Sequence, residues 1–259
     1  VKPGFLMRRV LILLAAGPLA ALAALSSSAP AIAAAAVTHG ALHPAAGAVS
    51  ALVQSTNWSG VAVTGGAYTR ATGSWVVPTV KVTTGNRYAA DWVGIGGYGS
   101  GDLIQSGTSE EIVGGHANYY AWTEILPAPE SKISLTVHPG DSVTVDVAEA
   151  SLGSWTITVS NHTTAQVFAK NLSYASTNSS AEWIHEAPTV GGVQARLAST
   201  SKATFDHGTV NGSTVIGSAG TNHEIELVGS TRATPSGLDS DRDGFAVADG
   251  SRAPPPPSS

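Results

Sequence analysis

The 259-residue sequence contains no cysteine. That excludes disulfides, thiolate metal sites and a cysteine nucleophile. Charge is scarce as well. Asp, Glu, Lys and Arg make up 12% of residues and leave a net charge of −5, with no basic patch to suggest nucleic acid. Beyond the N-terminal stretch no run is apolar enough to span a membrane. Outside the Ala-rich segment holding His39 and His43, no histidines fall at the close spacings a zinc site uses. No G-x-S-x-G elbow is present, and no serine stands out as a nucleophile. Nothing after the N-terminal stretch reads as a helix, and no repeat is visible. These absences predict no metal and no cofactor.

What is present begins with an export signal. Met7-Arg8-Arg9 forms a basic start, Val10 to Leu25 is apolar apart from Gly17-Pro18, and Ala31-Ile32-Ala33 is an A-x-A cleavage pattern. Residues 1–33 are therefore expected to be a signal peptide with its true start at Met7, and the protein to be secreted. Residues 34–54 read as a linker or short pro-segment, removed before about Ser55. Residues 251–259 read as a disordered Pro-rich tail. Between them, residues 55–250 form a domain patterned almost wholly as strand. Ile133, Leu135 and Val137 alternate with polar residues, His138-Pro139-Gly140-Asp141 turns, and Val143, Val145 and Val147 alternate again, which predicts a hairpin. Trp155, Ile157 and Val159 repeat the pattern. Turn signals recur about every 8–12 residues, the rhythm of an all-β sandwich or barrel.

Two groups of carboxylates are out of place on packing strands. Alternation puts Tyr120, Trp122 and Glu124 on one face, and Glu182, Ile184 and Glu186 on another, with His185 turned away. A carboxylate beside Trp or Ile is desolvated and its pKa rises, which suits acid–base chemistry. Gln105, inside the strand-like run Leu103 to Gly107, is equally unusual, because a glutamine cannot titrate and offers only amide hydrogen bonds. Asp239, Asp241, Asp243 and Gly244 imitate the start of a calcium loop, but the twelfth position is Gly250, so a turn before a final strand is expected.

Asn57-Trp58-Ser59-Gly60, Trp92-Val93-Gly94-Ile95, Leu103-Ile104-Gln105-Ser106-Gly107, Ala121-Trp122-Thr123-Glu124 and Ala181-Glu182-Trp183-Ile184 occur in that order. Together they resemble the glutamic peptidases, or eqolisins, over about Ser55 to Ala248. The chain looks like a bacterial-type member without cysteines. The resemblance implies a lectin-like (concanavalin A-like) sandwich of two antiparallel sheets and a Gln–Glu dyad, carried onto Gln105 and Glu182. It implies that Trp92, Trp122 and Glu124 shape the substrate groove, and that the enzyme is a monomeric acid endopeptidase acting on protein or peptide. Fungal members carry acids near Gly96, Ser109 and Tyr120, so a cleft with fewer acids is expected here. In the implied chemistry Glu182 takes a proton from water, and Gln105 faces the oxyanion that develops. A competing reading is a glycoside hydrolase or carbohydrate-binding domain, with Glu124 and Glu182 as a carboxylate pair and the tryptophans as sugar platforms. A third is an inactive adhesion domain.

Overall fold

The computed structural model describes Val1, residues 34–46 and residues 51–259. Apart from Val1, the expected signal peptide lies outside the described residues, as do residues 47–50 of the expected linker. One compact unit runs from Ala35 to Ser259. Its regular structure is strand, and a three-residue 3₁₀ turn at Ile216–Ser218 is the only helical element among the described residues.

The strands form two large antiparallel layers. The front layer runs Thr221–Leu227, Trp58–Thr64, Ser180–Glu186, Arg87–Gly96, Leu103–Val113, His116–Ile125 and Ser131–Lys132. The back layer runs Gln166–Ser173, Ser154–Asn161, Ser142–Ser151, Arg70–Val76, Ala203–Val210 and Phe245–Asp249. Ala233–Pro235 pairs with Phe245–Asp249 on one side and Thr221–Leu227 on the other, so the hydrogen-bonded ladder continues from layer to layer. The all-β sandwich expected from the alternation is the fold observed.

Period-two patterning explains where the core sits. Val61, Val93, Ile104 and Trp183 from the front layer meet Trp75, Val145, Ile157 and Phe205 from the back. Each large apolar side chain withdrawn from water contributes roughly 1.5–3 kcal/mol. Alternate residues of the same front strands point the other way. There Trp58, Ala62, Trp92, Leu103, Trp122, Ile184 and Ile225 build a second, separate apolar cluster on the outer face. A sheet face that carries three buried tryptophans outside the main core must be covered by something other than the back layer.

The expected hairpin forms only in part. Val143, Val145 and Val147 occupy the Ser142–Ser151 strand, and the Asp141 amide bonds His138 O to close the turn. Ile133 to Val137 keeps its alternation, with Leu135 and Val137 buried, but joins no ladder. Its amides find other partners, Ile133 N on Ala121 O and Thr136 N on the Gln166 side chain. Hydrophobic alternation reports which side chains are buried and cannot report which backbone groups pair. The Asp239–Asp243 stretch is a turn, as expected. Asp239 Oδ1 accepts from the amides of Asp243 and Gly244 before the Phe245–Asp249 strand begins.

Candidate active site

Register determines the site. Glu182 pairs with Ala62 on one side and with Gly94 on the other, Gly94 pairs with Gln105, and Gln105 pairs with Glu124. Directly paired residues project to the same face, so Ala62, Glu182, Gly94, Gln105 and Glu124 form one row across the outer face. Neighbouring strands lie about 4.8 Å apart, which separates the Glu182 and Gln105 backbones by about 10 Å. The residue between them is a glycine, and the Leu103 and Trp92 side chains close over it. An added Cβ at Gly94 would come within 3.1 Å of Gln105 Cβ and 3.0 Å of Trp92.

The next row places Trp92 opposite Gly107 and Gly107 opposite Trp122. Gly107 has no room for a Cβ, which would lie 2.2 Å from the Asp91 carbonyl and 2.6 Å from Trp92 Cβ. Trp58 packs edge-on against Trp92 with centroids 5.1 Å apart. The residues singled out by sequence, Gln105, Glu182, Trp92, Trp122 and Glu124, therefore all share one face.

Glu182 is fully buried, and neither carboxyl oxygen has a hydrogen-bond partner among the described residues. Burial pushes its pKa well above the ordinary carboxylate value, a rise only softened by Ser180 and the Tyr98 backbone. Gln105 is fully buried too. Its Nε2 donates to Glu124 Oε2 at 3.0 Å and to the carbonyl of His39 at 2.6 Å, while Oε1 has no protein partner. Glu124 is pushed up to about 8 by burial, against the pull of His39.

His39 belongs to the stretch expected to be a linker or pro-segment, and that stretch covers the face. Val37–Thr38 is a short strand paired with Thr189–Val190. The His39 amide bonds Glu124 Oε2 at 2.9 Å, and its ring stacks on Trp122 at 3.8 Å. Gly40 O accepts from Trp58 Nε1 at 2.9 Å, Ala41 O accepts from Asn57 Nδ2 at 3.0 Å, and the Leu42 amide donates to Gly97 O at 3.1 Å. The cover over the outer tryptophans is thus the chain's own N-terminal segment.

Sequence reasoning did not assign His39, Trp58, Glu130 or Glu186 to the site. Trp58 and Glu186 were reachable, since one lies in the Asn57–Gly60 motif and the other shares the Glu182 face. His39 and Glu130 lie outside any strand pattern. Glu130 and Glu186 place further carboxylates beside His39, next to Glu124. The glycosidase pairing fits poorly, since Gln105 stands between Glu124 and Glu182 in the row. Elsewhere, Asp239, Asp241 and Asp243, and likewise Asp206, His207 and Asp243, can bring ligand atoms within 4.8 Å of one another. Both sets are remote in sequence from the row above.

Comparison with known proteins gives the family. Residues 56–243 match the Peptidase A4 family. Aspergillopepsin-2 of Aspergillus niger is 32% identical over 203 residues, covering 68% of this chain and 72% of that protein. The solved structure of scytalido-glutamic peptidase with a transition state analog inhibitor superposes with a TM-score of 0.62 at 22% identity, covering 75% of this chain and 98% of that one. Aspergilloglutamic peptidase from Aspergillus niger gives a TM-score of 0.55 at 28% identity, over 63% of this chain and 99% of the other.

Proposed function

Because the chain belongs to the Peptidase A4 family, the glutamic peptidases, and is a peptidase acting on protein or peptide, we propose that it is an exported, monomeric endopeptidase that hydrolyses amides with Glu182 and Gln105. Glu182 in its ionised form takes a proton from a water molecule, and the hydroxide equivalent adds to the scissile carbonyl carbon. The carbonyl oxygen becomes an oxyanion facing Gln105 Nε2. Glu182 then returns the proton to the departing amine, the C–N bond breaks, and an acid and an amine are released. The protein supplies base, donor and acid, and no covalent intermediate forms. Trp92, Trp122 and Glu124 line the groove and hold the peptide.

The observation that carries this reading is the bond from Gln105 Nε2 to His39 O at 2.6 Å. The amide proposed as oxyanion donor already sits on a peptide carbonyl, in the same row as a buried carboxylate free of protein partners. The alternatives have no comparable use for Gln105. Export is supported by the basic start, apolar run and A-x-A pattern of residues 7–33. No helix among the described residues is long and apolar enough to cross a membrane. We further infer that residues 34–54 act as a pro-segment, because the part around His39 occupies the groove a substrate must enter.

The test is casein hydrolysis at acidic pH by the secreted protein, with pepstatin and EDTA present. Activity that survives both reagents and disappears in Glu182→Gln supports the assignment. Near-wild-type activity in Glu182→Gln would refute it.

A further inference from the structure

The His39 ring is held in a built pocket. It is fully buried and stacks on Trp122 with centroids 3.8 Å apart and planes 4° from parallel. Its Nε2 lies 3.0 Å from Glu130 Oε2, and its Nδ1 lies 3.4 Å from Glu186 Oε2. Glu186 is also fixed by groups outside the segment, since Oε2 accepts from Trp92 Nε1 at 2.9 Å and Oε1 from Asn57 Nδ2 at 3.3 Å. The main chain of His39 is engaged at the same time, its amide on Glu124 and its carbonyl on Gln105.

We propose that this pocket is a specificity subsite for a protonated imidazole, carried by the substrate residue whose carbonyl accepts from Gln105. The proposal rests on the peptidase reading given above and names the substrate class that reading leaves open. A carboxylate oxygen lies near each ring nitrogen, within hydrogen-bond distance of Nε2 and somewhat beyond it for Nδ1, and only the imidazolium form carries an N–H toward both. A buried charge is tolerated when it is paired, and here one cation meets the carboxylates of Glu130 and Glu186, with Glu124 beside it. A leucine would cover Trp122 and leave Glu130 without the donor that His39 supplies and Glu186 without a facing cation. A lysine has no flat face for the indole, and an arginine carries its charge further from the backbone than the imidazole does. His39 is the chain's own occupant of the site, and a substrate histidine takes its place once the segment leaves. The other ionisable groups facing this part of the sheet are Glu111, bonded to Tyr120, and Lys132, over the Tyr120 ring.

The experiment uses the enzyme as its host secretes it, with quenched fluorescent peptides Ala-Val-Thr-Xaa-Gly-Ala in which Xaa is His, Leu or Arg. Mass spectrometry identifies the bond cut. Cleavage after Xaa with kcat/KM about ten-fold higher for His than for Leu or Arg near pH 5 is expected. That ratio should fall toward one as pH passes the ordinary imidazole value near 6.5, because the free peptide then loses its proton. Glu130→Gln and Glu186→Gln should each reduce the His-to-Leu ratio to about three-fold or less, whatever their overall rate. Equal turnover of His and Leu by an enzyme that digests casein would overturn the proposal. So would Arg matching His, a ratio unchanged in both variants, or no cleavage of the His peptide. These failures are distinct from failure of the mechanism, which shows instead as casein hydrolysis persisting in Glu182→Gln.

Discussion

Gln105 and Glu182 are chemically unequal partners, and their substitutions should differ accordingly. Glu182→Gln keeps the shape and removes the base, so turnover should vanish while circular dichroism stays unchanged. Gln105→Ala removes one oxyanion donor, a loss worth about 10²–10³ in kcat with little change in KM, because the bond strengthens in the transition state. Glu124→Gln should retain measurable activity, since Glu124 bonds Gln105 and the His39 amide and does not face the reacting water. With Glu182 as the proposed base, the acid limb of the rate profile should follow its ionisation, because only the ionised form accepts a proton. Burial raises its pKa, so that limb should lie above the free-carboxylate value near 4.3. A limb at or below 4 would assign the base to another group.

At the scale of the element, the stretch from Val37 to Leu42 behaves as a ligand of its own sheet. It makes hydrogen bonds to Glu124, Gln105, Trp58, Asn57 and Gly97 and covers three tryptophans. The full chain should therefore be latent, and N-terminal sequencing of active material should begin downstream of Leu42. Active material that begins upstream of His39 would show that the segment does not block the groove. The Leu103–Val113 strand makes a second demand. Gly107→Ala would drive a Cβ to 2.2 Å from a backbone oxygen. Overpacking of this kind costs typically about 1–3 kcal/mol, and a lowered denaturation midpoint would report it.

Across the whole molecule, buried carboxylates outnumber the cations able to neutralise them. Glu110 and Glu182 are both raised well above the ordinary value, by burial first, and for Glu110 by Asp91 second. Asp243 is pushed up to about 6 by burial and by Asp241 and Asp206. Glu124 stands at about 8. Between the ordinary value near 4.5 and the folded value near 8, the folded chain keeps the Glu124 proton that an unfolded chain has released. Stability then falls as pH rises through that window. Asp243 acts the same way between 3.8 and about 6. His39, raised against its own desolvation from 6.5 to about 10 by Glu130 and Glu186, gives a contribution that is complete below 6.5 and declines as pH rises from there through about 10. The melting temperature should accordingly climb as pH is lowered from 8 toward 5. A melting temperature that rises from pH 5 to 8 would contradict it. Millimolar calcium should leave the melting temperature within about a degree, because the Asp239–Asp243 turn is closed by backbone amides and Gly250 stands where a calcium loop carries its twelfth, bidentate ligand.

The sequence by itself determined the layers and most of the dyad's surroundings. Period-two alternation decides which side chains of a strand share a face, and it grouped Val143 with Val145 and Val147, Trp122 with Glu124, and Glu182 with Ile184 and Glu186 without knowledge of any pairing, while the structure decided which face is core and which is outer. The ordered motifs singled out Gln105 and Glu182, because a glutamine and a buried glutamate are poor choices for packing. Register was not legible. That Gly94 separates the dyad, and that Gln105 stands between Glu182 and Glu124, depends on which strands pair and by how many residues they are offset. Those long-range hydrogen bonds leave no local signature. His39 was hidden for the same reason. It sits in an Ala-rich stretch without periodicity, and its place on Gln105 is set by partners 66 residues and more away in the chain, a relation that only the closed tertiary structure creates.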